Sequence, residues 1–331
     1  MWKGKRSLAR KRATLKDVAK TAGVSLASAS YAVNRTGSLG EDTRAHILKV
    51  AEELGYRQNL AARATRTGKT GAIGVVVPDM TNPFFPSLIQ SIVQRARANG
   101  YSVFVTDSEG DQAQEAEIVR QMVDRGVDGI VWFPVNDENS IGAVAKDLPI
   151  IVIDRTVAGF ECVQADYAEG GRLAAEYLVS RGHERIGVIA GPMDVKSMRD
   201  RCEAARDVAE RAGALAFFVE NAFSPELSGS VIEALESRAA DAVFCGADLI
   251  AIGVLKHMRK ADIAVPQQCA IIGFDDIPWA EHCTPALTTI EMPVDEMAAE
   301  AVDALLRRIE GEDESSRRVV FGINLITRES A

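Results

Sequence analysis

The sequence predicts an α/β protein, with a small all-α helix-turn-helix unit followed by two doubly wound parallel-sheet lobes. Three observations lead to this prediction. The first 70 residues show the spacing of short helices, the chain beyond residue 72 alternates short apolar runs with amphipathic stretches, and that alternating series occurs twice. With 331 residues, 47% of them hydrophobic, the chain can fill several cores.

Charge divides the chain at the same place. Residues 1–70 hold 15 Lys and Arg against 5 Asp and Glu, whereas the remainder holds 23 against 42. A compact block of cations attracts the phosphate backbone through counterion release, so the basic end indicates a nucleic-acid-binding module. A solubilising basic tail would have the same composition, and charge alone leaves both interpretations open.

Composition also excludes several classes of protein. There is no apolar run of about 18 residues to span a membrane, and the charged N-terminal stretch lacks the apolar segment of a secretory signal. The cysteines are few and scattered, without a Cys-x-x-Cys pair, which favours reduced thiols in a cytoplasmic protein over disulfides or zinc. They are Cys162, Cys202, Cys245, Cys269 and Cys283.

The basic segment has the pattern of a helix-turn-helix. Thr14 and Asp17 have the spacing at which a hydroxyl and a carboxylate cap a helix start. Gly23 then permits a tight turn, and Ser25 can cap a second short helix over residues 26–33. The second helix of such a pair is the natural reader of the major groove.

A third helix is predicted over about residues 42–54. Its apolar residues recur on one face, as a helix packed on a small core requires. The predicted inward residues are Ile47, Val50, Ala51 and Leu54, and Gly55 is the predicted C-terminal stop.

The acidic remainder is predicted to contain buried parallel strands, because its apolar runs are short and continuous. The predicted strands are residues 73–77, 102–105, 129–132, 150–153, 186–189, 242–245 and 270–274, with helices between them such as 88–98 and 114–125. Doubly wound units bind ligands at the carboxyl ends of their strands, so two such units predict a cleft between lobes.

The residues that follow these strands suit a polyhydroxylated ligand. Carboxylates accept hydrogen bonds from hydroxyls, arginine donates in a fork, and aromatic rings cover apolar faces. The strand ends carry such residues in the strings Pro78–Phe85, Asp154-Arg155, Gly191-Pro192 with Ser197 and Arg201, Cys245–Asp248 and Gly273–Asp276.

Several longer strings resemble the LacI/GalR family of transcription regulators along essentially the whole chain. In the basic segment they are Thr14–Ala19, Ala22–Ser25, Val33-Asn34, Thr43-Arg44, Ala51–Tyr56 and Asn59–Arg63, and in the remainder Asn82–Phe85, Asp154-Arg155, Arg181–Gly187, Gly273–Asp276 and Thr284–Ile290. The resemblance implies a DNA-binding headpiece over 1–57, a hinge over 58–70 and an effector-binding and dimerisation domain over 71–331. It implies lobe 1 at about 71–163 and 291–319, and lobe 2 at about 164–290 and 320–331.

The resemblance also implies which residues meet DNA. Leu26, Ala27 and Tyr31 stand where the family reads bases. They are mostly apolar or short, so an apolar side chain can read a thymine methyl and Tyr31 can donate one hydrogen bond, but bidentate guanine readout is lost. Asn34 has an alternative role as the stop of its helix. Thr65 stands where the family places a leucine wedge in the hinge, and threonine is a poor wedge. The full candidate set is Thr14, Leu15, Ser25, Leu26, Ala27, Ser28, Tyr31, Asn34, Leu60, Ala61, Arg63 and Thr65.

Position by position, the resemblance implies a set of effector contacts, with Arg201 and Asp275 leading. Asp248 has the alternative role of capping the helix after Gly246, and Trp279 can either stack on a ring or pack structurally. The set is Phe84, Arg155, Asp166, Ser197, Arg201, Phe223, Asp248, Asp275 and Trp279. Two arginines and a lysine in residues 195–201 allow an acidic or phosphorylated effector, or else form a solvated charged turn.

Three functions from different classes compete. An effector-controlled regulator, most often a repressor in the family, accounts for both halves of the chain, with operator DNA, a sugar-like effector and a second copy of the chain as partners. A solute-binding protein leaves residues 1–70 unexplained. A sugar-processing enzyme would use the adjacent Asp275 and Asp276, but adjacent side chains usually point apart. No enzyme activity, cofactor or metal is predicted, since no dinucleotide loop or metal-ligand spacing is present.

Overall fold

A computed structural model describes residues 13–34, 36–56, 68–145, 148–312 and 317–331. The chain divides into two compact units, which meet in the sequence between Thr70 and Gly71. The described part of the first unit contains three helices, α1 (Leu15–Thr21), α2 (Leu26–Asn34) and α3 (Glu41–Glu53).

The starts of the first two helices form as predicted. The Thr14 side chain accepts from the Asp17 amide while the Asp17 carboxylate accepts from the Thr14 amide at 2.8 Å, and the two residues form a reciprocal cap. The Ser28 amide donates to Ser25 Oγ at 3.0 Å at the start of α2. Between them Gly23 has a φ of 66°, the left-handed conformation that the tight turn needs.

The core of this unit is made of small apolar side chains from all three helices, including Val18, Ala29 and Ile47. The predicted inward position of Leu54 is wrong, because α3 ends at Glu53 and Leu54 is the residue after its last turn. Its side chain is therefore off the buried face and 37% exposed.

Over its described residues, the second unit contains twelve strands and seven helices. The strands are β1 (Ala72–Val77), β2 (Ser102–Asp107), β3 (Gly129–Trp132), β4 (Ile150–Ile153), β5 (Glu161–Ala165), β6 (Ile186–Ala190), β7 (Leu215–Glu220), β8 (Ala242–Cys245), β9 (Ala270–Asp275), β10 (Thr288–Glu291), β11 (Arg318–Phe321) and β12 (Asn324–Ile326). The helices are α4 (Phe84–Ala98), α5 (Gln112–Asp124), α6 (Tyr167–Ser180), α7 (Lys196–Arg211), α8 (Gly229–Glu236), α9 (Asp248–Lys260) and α10 (Val294–Glu310).

Two six-stranded sheets define two lobes, and the predicted fold class is confirmed. The sheet of lobe 1 has the strand order β11-β5-β4-β3-β1-β2, and the sheet of lobe 2 has the order β12-β10-β9-β8-β6-β7. The paired strands are parallel except for β12, which runs antiparallel to β10. All seven predicted strands are present, but β2 is an edge strand rather than a buried one, and its Phe104 is 52% exposed.

The chain passes between the lobes three times, after β5, after β10 and between β11 and β12. The predicted boundaries after residues 163 and 319 fall inside β5 and β11. Both strands continue in register until Ala165 pairs with Phe321, which is why each crossing comes two residues later than expected. The crossing after β10 follows Glu291, one residue beyond the predicted boundary at 290.

Candidate functional site

A cavity of about 620 Å³ lies at the carboxyl ends of the strands of both lobes. This is where a doubly wound sheet offers a ligand site, because the loops leaving parallel strands converge at that edge. Six of the nine effector candidates line the cavity, namely Phe84, Arg155, Ser197, Arg201, Phe223 and Asp275.

Two of these lining residues, Arg201 and Asp275, pair with each other. Arg201 Nη1 lies 3.1 Å from Asp275 Oδ1 and donates to the Gly246 carbonyl at 3.0 Å. The guanidinium also stacks 3.9 Å above the Phe274 ring, so its orientation is fixed from several sides. Both members of the pair are buried, and their interaction is therefore poorly screened by solvent.

Burial raises the pKa of Asp275 to about 7, against the opposing effect of the Arg201 guanidinium. A carboxyl group with its pKa raised in this way exchanges its proton near neutral pH. In either protonation state it keeps an oxygen that can accept a hydrogen bond from a ligand hydroxyl.

A second buried group of polar side chains lies across the cleft. Arg155 pairs with the carboxylate of Asp154, which also accepts a hydrogen bond from the Tyr167 hydroxyl. Burial raises the pKa of Tyr167 well above its ordinary value, so the phenol keeps its proton and acts as a donor. Arg155 Nη1 also donates to Ser197 Oγ at 3.1 Å, which joins lobe 1 to lobe 2.

The backbone is strained at both of these groups. Asp154 follows β4 with a φ of 68°, and Asp275 ends β9 with a φ of 110°. Residues other than glycine seldom adopt such angles, and they persist where surrounding contacts hold them. The two positions lie at corresponding strand ends in the two lobes, and Asp154 and Asp275 both line the cavity.

The charge around the cavity favours a neutral ligand over an anionic one. Its described lining carries six carboxyl groups and two guanidinium groups, with Asp79, Asp107, Glu109 and Asp194 adding to the two buried pairs. Residues 196–201 are the start of α7 rather than a solvated charged turn, and their basic residues other than Arg201 do not line the cavity. Lys196 Nζ bonds the Asp200 carboxylate at 2.7 Å, and Arg199 Nη2 bonds Asp137 at 3.0 Å.

Three effector candidates lie outside the lining. Asp166 is the N-cap residue of α6 and accepts from the Glu169 amide at 3.1 Å. Asp248 is fully buried and accepts from the Ile277 amide at 2.9 Å and from the hydroxyl of Thr289, and α9 has no side-chain cap. Trp279 is 53% exposed.

Sequence reasoning missed the side chains that hold these groups in place. Asp154 belongs to one of the strand-end strings but not to the candidate set, and Tyr167 carries no pattern at all. It begins the helix just after the first crossing between lobes, where its hydroxyl reaches Asp154 of the other lobe, and no sequence spacing encodes that position.

The DNA-reading candidates on α2 share one exposed face of the helix. Leu26 and Tyr31 are 46% and 47% exposed and Ala27 is also exposed, whereas Ala29 and Ala32 of the same helix are fully buried. Exposed apolar side chains on the second helix of a helix-turn-helix are suited to contact thymine methyl groups.

The remaining headpiece candidates have local partners. Thr14 and Ser25 cap the two helices, Leu15 packs against the small core, and Ser28 Oγ lies 2.9 Å from Ser25 Oγ. Asn34 is the last residue of α2, and its Nδ2 donates to the Ser30 carbonyl at 2.7 Å. The hinge candidates Leu60, Ala61, Arg63 and Thr65 lie outside the described residues.

Among the described residues, no group of three or more His, Cys, Asp or Glu side chains is arranged to hold a metal ion. In the same ranges, no helix has the length and apolar character needed to cross a membrane.

A helix-turn-helix unit and a two-lobed cleft in one chain define the class of DNA-binding proteins that also carry a ligand site. Comparison with known proteins agrees with this. Residues 14–59 match the bacterial regulatory proteins of the lacI family, and residues 175–331 match a periplasmic binding protein-like domain. The ribose operon repressor of Escherichia coli (strain K12) is 31% identical over 329 residues, which cover 96% of this chain and 100% of that repressor.

The chain therefore belongs to the lacI family of bacterial regulatory proteins and is a DNA-binding transcription regulator. A crystal structure of the lac repressor dimer bound to operator and the anti-inducer ONPF has the same fold, with a TM-score of 0.84 at 23% identity over 97% of this chain and 99% of that one. A LacI family regulator from Enterococcus faecium with bound ribose has a TM-score of 0.70 at 27% identity over 78% of this chain and 98% of that one.

Proposed function

We propose that the protein is a repressor whose affinity for operator DNA is controlled by a small, uncharged, polyhydroxylated effector bound between the two lobes. The observation that carries the proposal is the buried pair of Arg201 and Asp275, which offers a fixed donor and a carboxyl acceptor in the lining of the cavity. Phe84 and Phe223 line the same cavity and supply apolar surface for the carbon faces of a sugar ring.

A pentose is the proposed size class of this effector. The relatives with 31% and 27% identity are a ribose operon repressor and a regulator with bound ribose. The excess of carboxylates in the lining supports a neutral sugar over a sugar phosphate, because a phosphate would meet like charge at close range.

The proposed mechanism is thermodynamic linkage. A homodimer, as in the lac repressor structure, would present two headpieces (residues 1–57) to the half-sites of a pseudo-palindrome, through hinges over 58–70. Effector would stabilise one arrangement of the lobes over another and thereby change the free energy of operator binding. Coupling of about 1–3 kcal/mol corresponds to a change of roughly 5–150-fold in affinity, and it is reciprocal. We propose that the protein acts in the cytoplasm, where operator DNA is found.

An enzyme acting on sugars is the weaker candidate, and we propose no catalytic role. Asp275 and Asp276 have separate partners, since Asp275 pairs with Arg201 and Asp276 pairs with Arg328 at 2.8 Å. General acid–base catalysis on a glycoside needs two carboxyls facing one bond. Sugar turnover by the wild-type protein that is lost in Asp275→Asn would contradict this assignment.

The experiment that tests the proposal begins with selection of bound duplexes from a random DNA pool by the full-length protein near physiological salt. We expect a pseudo-palindromic consensus, which then serves as the probe for titration with D-ribose, other pentoses and ribose 5-phosphate. A neutral pentose should change the operator affinity by about fivefold or more while the phosphate leaves it unchanged. A response to the phosphate alone would overturn the assignment of a neutral effector, and no enrichment of duplexes would overturn operator recognition by the unaided protein.

A further inference from the structure

Two residues of lobe 1, Arg155 and Asp137, form hydrogen bonds with the first turn of α7 in lobe 2. On the inner side Arg155 of lobe 1 donates to Ser197 at 3.1 Å. On the outer side Asp137, in the loop after β3 of lobe 1, uses one carboxylate oxygen for two partners in lobe 2. Its Oδ2 accepts from the Lys196 amide at 2.8 Å and from Arg199 Nη2 at 3.0 Å. Asp137 does not line the cavity, so it makes this contact without touching a ligand bound there.

The helix that receives these contacts has no side-chain cap of its own. Its N-cap residue is Val195, which cannot accept a hydrogen bond through its side chain. The first amides of a helix have no partner within the helix, and an Asp, Asn, Ser or Thr at the N-cap normally supplies one. Here Asp137 supplies the acceptor from the other lobe, and its negative charge suits the positive end of the helix dipole.

The loop that carries Asp137 is anchored within lobe 1. Glu115 of α5 is 1% exposed, and its carboxylate accepts from Trp132 Nε1 and from the Val135 amide, each at 2.9 Å, and from the Ser140 hydroxyl. These bonds hold the loop on both sides of Asp137. When the lobes separate, Asp137 therefore stays with lobe 1 and the cap of α7 is lost.

We propose that Asp137 is a closure latch, an acceptor that caps α7 across the cleft in the closed arrangement and releases it in the open one. Because α7 also carries Ser197 and Arg201, the latch positions two lining side chains of the cavity without touching the ligand. Asp137 Oδ1 is buried with no hydrogen-bond partner among the described residues, and this opposes closure. The latch accordingly shifts the balance between open and closed forms rather than locking the cleft. Its link to effector binding rests on the proposed function.

The test measures closure directly, in the full-length protein without any sugar. Spin labels at Gln121 of lobe 1 and Glu210 of lobe 2, both exposed, report the distance between lobes by electron–electron double resonance, in a Cys283→Ser background. We expect the ratio of closed to open molecules to fall about fivefold in Asp137→Ala. Asp137→Asn keeps an acceptor for Lys196 but loses the charge opposite Arg199, and should give an intermediate ratio.

Glu138→Ala is the matched control, because Glu138 belongs to the same loop but contacts Gln112 of its own lobe at 3.3 Å. Hydrogen exchange over residues 133–141 shows whether a variant has disordered the loop, and we expect it to be unchanged in Asp137→Ala. Identical distance distributions in wild type and Asp137→Ala, or a wild type that is entirely open, would overturn the latch. Since no sugar is added, a failure of the pentose titration leaves this result intact, and the two proposals can fail separately.

Discussion

Gly171 of α6 lies directly against the backbone of Arg201, so that a Cβ atom at residue 171 would stand 1.8 Å from the Arg201 carbonyl oxygen. The neighbouring Gly170 lies against the Phe274 ring in the same way, and a Cβ atom there would stand 2.7 Å from that ring. The absence of a side chain at Gly171 lets α6 pack closely on α7, and its absence at Gly170 lets α6 pack closely on Phe274 of β9. It is this close packing that brings Arg201 between the rings of Tyr167 and Phe274.

We expect Gly171→Ala to destabilise the protein by about 1–3 kcal/mol or more and to abolish the effector response, because backbone must move to admit the methyl group. Urea unfolding and titration of the operator complex measure the two effects. Gly229→Ala is the control, since its Cβ would meet nothing within 4 Å, and it should be neutral. Wild-type stability in Gly171→Ala would show that the two helices can separate freely.

Arg201→Ala should fold and bind operator DNA but fail to respond to the effector. Removing one partner of a buried pair usually costs about 3–5 kcal/mol, because a charge is left uncompensated. Here the cost should be smaller, since Asp275, with its pKa raised to about 7, can take up a proton instead. Operator binding by fluorescence anisotropy, with and without pentose, tests this. Loss of DNA binding by a folded variant would make Arg201 part of the coupling rather than of the ligand site.

Asp275 should give stability a characteristic dependence on pH. Folding raises its pKa from 3.8 to about 7, and burial is the main cause. At a pH between these two values the folded form therefore holds a proton that the unfolded chain releases. Its contribution to the free energy of unfolding is therefore greatest below about pH 4, falls as the pH rises to about 7, and is constant above that. Urea unfolding from about pH 5 to 8 should show the difference between wild type and Asp275→Asn falling up to about pH 7. Parallel curves would mean an ordinary pKa.

We expect substitutions of Asp248, unlike those of Asp275, to change the stability of the fold and not the binding of effector. Its carboxyl accepts from the Ile277 amide and the Thr289 hydroxyl, and burial raises its pKa well above the ordinary value. Asp248→Ala leaves a buried amide without a partner and should cost about 1–3 kcal/mol in urea unfolding. Asp248→Asn keeps an acceptor, and the effector response should survive. Loss of that response in a stable Asn variant would return Asp248 to the ligand site.

We expect the Tyr31 hydroxyl to hydrogen-bond a base of the operator and so to contribute to sequence specificity, without neutralising a phosphate. Its ring packs on Gly37, where a Cβ atom would lie 2.9 Å from the ring, so Tyr31→Phe keeps this packing and removes the hydroxyl alone. We expect a severalfold loss of operator affinity with an unchanged salt dependence. Leu48→Ala, a partly exposed apolar residue on α3, is the control. An equal loss of affinity for operator and for random-sequence DNA would point to a phosphate contact instead, because a hydroxyl bound to a phosphate carries no base preference.

The positions of the central strands could be predicted, because runs such as Ile150–Ile153 are short, apolar and buried on both faces. Five strands were missed, namely β5, β7, β10, β11 and β12, and three of them show why. β5 contains Glu161, which is tolerated in the sheet because it pairs with Arg308 of α10 at 3.0 Å. β11 and β12 are short and half-exposed. A strand whose pattern depends on a distant partner carries no periodicity of its own.

The residues that line the cavity could be predicted only in part, because some of them are marked by local sequence and others depend on distant contacts. Strand ends are visible in a sequence, and they yielded Arg155, Arg201 and Asp275. Contacts between lobes are not visible, because the two residues of a pair such as Asp137 and Arg199 are separated by a whole crossing of the chain. Asp248 also follows a strand, yet its side chain turns away from the cavity toward Thr289, an orientation that no sequence pattern encodes.

The three crossings between the lobes also bear on how the protein withstands proteases. Each lobe is assembled from stretches that are distant in the sequence, and β11 and β12 belong to different lobes although only two residues separate them. A single cut in any one crossing leaves the lobes tied together by the other two. A nicked molecule would therefore run as two fragments in denaturing gels while migrating as one particle in solution, with its ligand cleft still assembled.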